Sequence, residues 1–392
     1  MKTFAVPPPV ASFVAGGGRD VDTAKLGETF AAGEHVRLAD DRGNELALAV
    51  ADPDNSRLRV LALPEDGFAA IDGALVGWRV ERALAWRREL GLVGDDRAYR
   101  IVHGAGDGLP GFAADVLGRA AVVYVYGDGL RALGRQLAEA IAGFAKLDGA
   151  VVKLRAKGGA AEVEQDVIGK VDERAIVHEP VSSVLGHELA VEVHPLGGLN
   201  VGLFTDMREH RRGLARFAAG RRVLNLFSYT GTLGLACARA GAASVVNVDT
   251  SEGVQAWARG NFERAGLAGA ARFEQGDAVR FLARAIRDKE RYELVIVDPP
   301  SFSTARGQPW AIDREYPALI AQCAAVIPPG GVLWLASNHA ELGPLGKRAH
   351  EGLRRAGRTA AIVEQGGLPP EYPTVAAQPH DRYLQVCVLR LA

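Results

Sequence analysis

Val223-Leu224-Asn225-Leu226-Phe227-Ser228-Tyr229-Thr230-Gly231-Thr232-Leu233-Gly234 is an apolar run that turns through a glycine into a helix-forming stretch. A largely apolar run of strand length reads as a strand buried on both faces. Gly231 lets the backbone approach a ligand closely. The helix opening behind it offers unpaired amide groups. A second strand candidate, Ser244–Asp249, ends on a carboxylate 18 residues after Gly231. Ala271–Gln275, Leu294–Asp298 and Val332–Ala336 follow, alternating with helical stretches. That rhythm is βαβ and predicts a parallel sheet with helices on both faces. Thr359–Glu364 and Tyr383–Leu391 lack a helix between them and predict an antiparallel hairpin at one side of the sheet.

Ligands of such sheets bind at the carboxyl ends of the strands, and four features sit there. The first is the turn Phe227, Ser228, Tyr229, Thr230 and Gly231. The second is Asp249, with Thr250 and Ser251 behind it, whose carboxylate can accept both hydroxyls of a ribose. The third is Gly276-Asp277-Ala278, placed to bind an adenine amino group, and the fourth is Asp298-Pro299-Pro300-Ser301-Phe302. Taken singly, Asp249 and Asp277 also read as helix caps. A nicotinamide-dinucleotide site shares the strand–turn–helix opening, but its G-x-G-x-x-G run supports a pyrophosphate. The run here carries two of those glycines, Gly231 and Gly234. S-adenosylmethionine has no pyrophosphate and suits the bulkier turn.

Upstream, residues 1–76 read as short strands (His35–Leu38, Glu45–Val50, Arg57–Ala62) separated by turns, which suggests a small β-barrel. A helix is predicted over Ile71–Leu90, with Arg79, Arg82, Arg87 and Arg88 on a polar face and a solvated linker as its plain reading. Residues 77–195 hold this helix and an α+β part, with strands at Ala120–Tyr126, Ala150–Leu154 and Leu189–Val193 and a helix near Leu130–Phe144. The turn Gly104–Gly111 has four glycines, but no helix start with a phosphate-binding lysine follows, so it reads as structural. Residues 196–392 form the third part.

Of 392 residues, 48% are apolar and 24% charged, with a net charge of −1, as in soluble globular proteins. No apolar run approaches a membrane span and no signal peptide is visible, so a cytoplasmic protein is the simplest reading. Cys237, Cys323 and Cys387 lie far apart and form neither a disulfide framework nor a metal motif. Charge is uneven. Residues 1–70 carry seven Lys/Arg against eleven Asp/Glu, a net of −4. Residues 201–222 carry six arginines against two acids, a net of +4.

The chain resembles the bacterial 23S ribosomal RNA methyltransferases of the large-subunit I and K types. The resemblance is carried by Leu26-Gly27-Glu28, Gly106–Gly111, Gly202-Leu203-Phe204-Thr205-Asp206-Met207-Arg208, Leu224–Gly231, Val248–Ser251, Asp298–Phe302 and Ser337-Asn338. It implies a class I methyltransferase domain with a Rossmann-like seven-stranded sheet, preceded by a PUA-like barrel and a small α+β middle domain. It also implies S-adenosylmethionine as cofactor and 23S ribosomal RNA as partner. Phe204, Asp206 and Arg208 would then cover the cofactor, with Arg208 on its methionine carboxylate. The sequence leaves a homodimer open.

Two departures from the family shape the expectations. The N-terminal part is acidic, which puts its grip on RNA in doubt. Arg208–Arg222 and Lys153-Leu154-Arg155-Ala156-Lys157 are the better candidates for phosphate contacts. The I-type relatives methylate cytosine carbon 5 through a cysteine thiolate just after the fifth strand, where this chain has Ala336-Ser337-Asn338-His339. The K-type relatives have Ser-Asn there and methylate guanine nitrogen 7. The expectation is therefore methylation of a base nitrogen, guanine N7 favoured. Cytosine-5 methylation, or RNA binding with a vestigial pocket, is the alternative. Asp298, Pro299, Pro300, Phe302 and Asn338 would form the acceptor side: Asp298 orienting the base or holding the proline-turn geometry, the prolines stiffening the turn, Phe302 stacking on the base, and Asn338 contacting its edge. Ser303–Trp310, with Arg306, would close over the substrate.

Overall fold

A computed structural model describes residues 1–155, 164–182, 187–300, 302–303, 310–339 and 342–392, with the side chains of 180–182, 187, 302–303, 310–311 and 313 outside the description. The chain divides into two compact units. The first comprises Met1–Val177, Val193–Val201 and Pro370–Asp381; the second comprises His178–Glu192, Gly202–Pro369 and Arg382–Ala392.

In the first unit, His35–Ala39, Glu45–Asp52 and Arg57–Ala62 pair antiparallel in succession. Lys2–Ala5 joins His35–Ala39 in parallel and Asp20–Asp22 joins Arg57–Ala62, completing five strands. The prolines that disguised the N-terminus start a helix, Pro8–Ala15. Proline is tolerated at a first helical position because its missing N–H would have no partner there. A second five-stranded sheet runs, in chain order, through Ala98–His103, Phe112–Leu117, Ala120–Val125, Gly149–Leu154 and Gln165–Gly169. Helix Arg131–Ala145 makes its one parallel crossover, between Ala120–Val125 and Gly149–Leu154.

The helix expected at 71–90 spans Gly73–Glu89, capped by Asp72 accepting from the amides of Ala74 and Leu75. It is packed rather than a solvated linker. Leu75, Val76, Val80 and Leu84 share one core with Leu48, Val50 and Leu61 before it and with Tyr99, Ile101 and Phe112 after it. Two of its supposedly solvated arginines are buried: Arg79 pairs with Asp66, and Arg87 makes a bidentate pair with Asp107.

The second unit is built on seven strands: β1 (Arg222–Leu226), β2 (Ser244–Asp249), β3 (Ala271–Gln275), β4 (Leu294–Val297), β5 (Val332–Ser337), β6 (Ala360–Gly366) and β7 (Gln385–Leu391). Their order is β3-β2-β1-β4-β5-β7-β6. The first five are parallel; β7 runs antiparallel to both β5 and β6. Helices α1 (Arg208–Ala218), α2 (Thr232–Arg239), α3 (Glu252–Arg264), α4 (Ala278–Arg287), α5 (Ile312–Val326) and α6 (Leu345–Arg355) flank them. Leu224, Leu226, Val295, Val297, Leu333 and Leu335 pack against Leu282, Tyr316, Ile320 and Leu353 in one core. The chain winds outward from β1 to β3, then returns to β4 on the other side of β1. That reversal opens a crevice beyond the carboxyl ends of β1 and β4, the position at which open α/β sheets take ligands.

Candidate functional site

The turn after β1 is held in a conformation that side chains rarely adopt. Phe227 and Tyr229 have φ of 57° and 48°, and Gly231 has 76°. A left-handed non-glycine residue costs about 1–2 kcal/mol, so the surroundings must fix this loop. Asp249 does much of that. One of its oxygens accepts from the Tyr229 amide at 3.0 Å and the other from the Ser251 amide at 3.1 Å. A carboxylate has about four acceptor positions, so both oxygens retain a lone pair for ribose hydroxyls. Glycine is obligatory at 231: a Cβ there would sit 3.1 Å from the Ala258 methyl as well as at an unfavourable φ. Gly234 lets α2 press on the sheet, since its Cβ would lie 2.5 Å from Asn247 Oδ1. Asn247 and Asn225 are themselves buried and joined at 2.9 Å.

The stretch expected to cover the cofactor is fastened to this turn. The Gly202 amide donates to the Tyr229 hydroxyl at 2.9 Å, and the Thr230 hydroxyl donates to Gly202 O at 2.6 Å. Phe204 lies 5.1 Å from the Tyr229 ring and remains 43% exposed. Burial raises the Tyr229 phenol to about 12, so it stays protonated. Asp206 accepts from the Tyr383 hydroxyl at 2.8 Å. Arg208 is buried and pairs with Glu209 at 2.8 Å. At the end of β3 the helix-cap reading of Asp277 holds, since it caps α4 on the Arg280 amide; at the end of β2 the cap of α3 is Ser251, on the Val254 amide, and not Asp249. The Gly276 amide donates to Asp249 O at 2.9 Å, binding the second feature to the third.

On the acceptor side, Asp298 and Pro299 follow β4 and Ser337 and Asn338 end β5. Tyr316 of α5 spans these ends: fully buried, it donates to Ala336 O at 2.7 Å. Enclosure by protein, and then the Asp206 charge, raise the Asp298 carboxyl to about 7. Its acid form is thereby favoured well above the usual carboxylate range. Pro299 is buried and Pro300 exposed. Ser337 Oγ accepts from the His339 amide at 3.1 Å, which turns the chain so that Asn338 is exposed. The Phe302 backbone pairs antiparallel with Ala311 and that of Ser303 with Trp310. The Phe302 side chain, Ser301 and the 304–309 segment with Arg306 lie outside the described residues.

All three thiols are buried and raised by desolvation, Cys237 to about 12 and Cys387 to about 11, with Cys323 higher still. Three residues carried no sequence signal. Tyr316 and Tyr383 belong to no motif. Asn261, which joins Thr230 O to the Glu192 amide, reads as one more polar helix residue.

Several cations of the expected phosphate-contact segments are engaged within the fold. Arg211 is buried on Glu179, Arg212 pairs with Glu209, and Arg216 pairs with Glu364. Lys153 is buried and donates to Gly197 O and Gly198 O at 2.6 and 2.8 Å. Burial lowers its ammonium to about 8. Arg155 lies over the Tyr126 ring, and Ala156 and Lys157 lie outside the described residues. Sequence charge counted these cations but not the carbonyls and carboxylates that the fold sets against them.

Residues 183–384 match the family model of the S-adenosylmethionine-dependent methyltransferases. A relative from Shewanella denitrificans, named ribosomal RNA large subunit methyltransferase I, is 30% identical over 92% of this chain and 91% of its own. One of the same name from Klebsiella pneumoniae is 28% identical over 90% and 88%. A solved structure of a SAM-dependent methyltransferase from Streptococcus mutans shares the fold, with a TM-score of 0.85 at 21% identity and full coverage of both chains. A methyltransferase solved with S-adenosylhomocysteine gives the same values.

Proposed function

The chain belongs to the S-adenosylmethionine-dependent methyltransferases, and from that premise we propose that it methylates a base nitrogen, guanine N7 in preference, in 23S ribosomal RNA. Bound S-adenosylmethionine supplies an electrophilic methyl group. Asp249 takes its ribose, Asp277 its adenine, and the Phe204–Arg208 stretch covers it. The left-handed turn and the obligatory Gly231 give that cofactor a cradle of backbone.

One observation carries the choice of acceptor: no described thiol stands at the site. A pyrimidine carbon needs a thiolate to add to the ring first, and the three buried thiols resist ionisation. A ring nitrogen with a lone pair needs only alignment, which can contribute several kcal/mol on its own. Asp298 in its acid form offers a hydrogen bond to an acceptor on the base edge. Asn338 offers both a donor and an acceptor, Pro299 and Pro300 stiffen the turn, and Phe302 stacks on the base. The RNA reading is supported by the names of the relatives that cover nine-tenths of the chain. We assign residues 1–76 to a PUA-like domain, 77–195 to the long helix and middle domain, and 196–392 to the catalytic domain.

Mass spectrometry of ribosomal RNA from cells with and without the gene tests the proposal. One methylated guanine should disappear with the gene, and an unchanged set of modified bases refutes the ribosomal target. Replacing Cys237, Cys323 and Cys387 by alanine should leave methyl transfer in place; its loss, with the fold retained, restores the cytosine-5 reading.

A further inference from the structure

The first unit contains a cleft of about 580 Å³ lined by Arg19, Arg79, Arg82, Trp86, the Gly106–Gly108 turn and Pro373–Ala376. Resting on the reading that this chain acts on RNA, we infer that the cleft binds one unpaired ribonucleotide, its phosphate on the arginines and its base on Trp86.

The cleft is short of negative charge. Arg79 is 6% exposed; its Nη2 donates to Leu61 O and Asp66, but its buried Nε has no hydrogen-bond partner. Arg19 is 9% exposed, and among the described residues its guanidinium reaches only Val60 O, at 3.4 Å. Neither Arg19 nor the exposed Arg82 makes an ion pair among the described residues; Arg82 lies over the Trp78 ring at 4.8 Å. Of the lining carboxylates, Asp66 is taken by Arg79 and Asp107 by Arg87. Burying like charges side by side is costly unless an anion answers them. Burial and the neighbouring Arg79 lower Arg19 to about 10, outweighing the opposing charges of Asp66 and Glu65.

The walls are shaped for close approach. A Cβ on Gly108, whose φ is 72°, would lie 2.6 Å from Arg79 Nε, and one on Gly106 would lie 1.8 Å from Pro373 O. These glycines therefore line the cleft with bare backbone. Trp86 is 40% exposed, and its indole N–H is fixed on Pro370 O at 3.0 Å. Arg79, Arg82 and Trp86 stand at i, i+3 and i+7 on one helix, hence on one face. Guanidinium groups beside a held, exposed aromatic ring are the elements that take single-stranded nucleic acid. The volume exceeds what a bare phosphate needs. The surrounding 1–70 segment carries a net −4, which disfavours the continuous backbone of a duplex and favours one phosphate entering a local cationic pocket.

Fluorescence anisotropy of the full chain with a short labelled oligouridylate tests the assignment. Trp86→Ala should weaken binding about 10-fold, with Trp86→Phe recovering most of it. Arg82→Ala should lower the slope of log K against log salt by about 0.7. Both should bind S-adenosylmethionine as the parent does, which shows the fold intact. Uridine monophosphate should compete, and inorganic phosphate should compete less well. The assignment is overturned if both variants keep the parent's affinity and salt slope. It is overturned also if the duplex form binds as well as the single strand, or if free nucleotide binds more tightly than RNA. In those cases methyl transfer to ribosomal RNA by the parent chain keeps the RNA reading standing. A parent chain that neither binds nor methylates RNA overturns both.

Discussion

The two sides of the crevice in the seven-stranded sheet are held by different means. On the cofactor side, beyond β1, β2 and β3, backbone holds backbone through one carboxylate: Asp249 joins the Tyr229 and Ser251 amides, and Gly276 returns to Asp249 O. On the acceptor side, beyond β4 and β5, a buried phenol, Tyr316, reaches across from a helix. The first arrangement needs particular residues at particular spacings and so leaves a motif. The second needs only a hydroxyl at the right depth, which any of several helix positions can supply in another sequence. A cofactor common to many enzymes is thus fixed by local pattern, and the substrate that distinguishes them by tertiary contact.

The largest effect should come from removing the common link. Asp249→Ala deletes the acceptor for two amides and for the ribose, and charged hydrogen bonds contribute about 1.5–3 kcal/mol each. S-adenosylmethionine binding should fall about 100-fold by calorimetry. Full affinity in this variant would break the comparison. Gly231→Ala comes next. Its φ of 76° and the 3.1 Å approach to Ala258 should cost about 2 kcal/mol of stability, read from the urea midpoint, with cofactor affinity falling too. Tyr316→Phe leaves Ala336 O without its phenol, for about 1 kcal/mol. Here kcat should drop while cofactor affinity holds, and a fall in both would show that the two sides are not separately held.

The remaining effect is one of slope against pH rather than a fixed loss. The Asp298 carboxyl, near 3.8 in an unfolded chain, rises to about 7 in the fold. Between those values the folded chain binds a proton that the unfolded chain does not. The contribution is therefore fully present below pH 3.8 and lost as pH rises through 7. Asp298→Asn should remove that dependence, so the parent should lose stability relative to the variant from pH 4 to 7 and level off above it. Parallel curves would show that Asp298 is ionised throughout.

These contrasts explain what the sequence made legible. The β1–β5 rhythm, the closing hairpin and the Phe227–Gly231 turn were readable because periodicity and glycine are local signals. Helix Pro8–Ala15 was hidden because prolines before a helix look like prolines in a loop. The arginines misled most. Arg79 and Arg87 were expected in solvent and Arg208–Arg222 was expected as a basic surface, yet Arg79, Arg87, Arg211 and Arg216 meet carboxylates from elsewhere in the chain, such as Glu179 and Glu364. Net charge over a window says how many cations there are, not how many remain to meet a partner.

The N-terminal unit includes Pro370–Asp381. Arg87 donates to Glu371 O, the Arg19 amide to Gln378, and Pro373–Ala376 wall the cleft. During translation, then, Met1–Val177 leave the ribosome long before Pro370–Asp381 complete their unit. Its opening residues must wait, with Arg19 and Arg87 lacking these partners, while nearly the whole catalytic sheet is made. A nascent chain interrupted before residue 370 would carry no complete cleft, so a capacity to hold RNA there would mark a chain translated past Ala376.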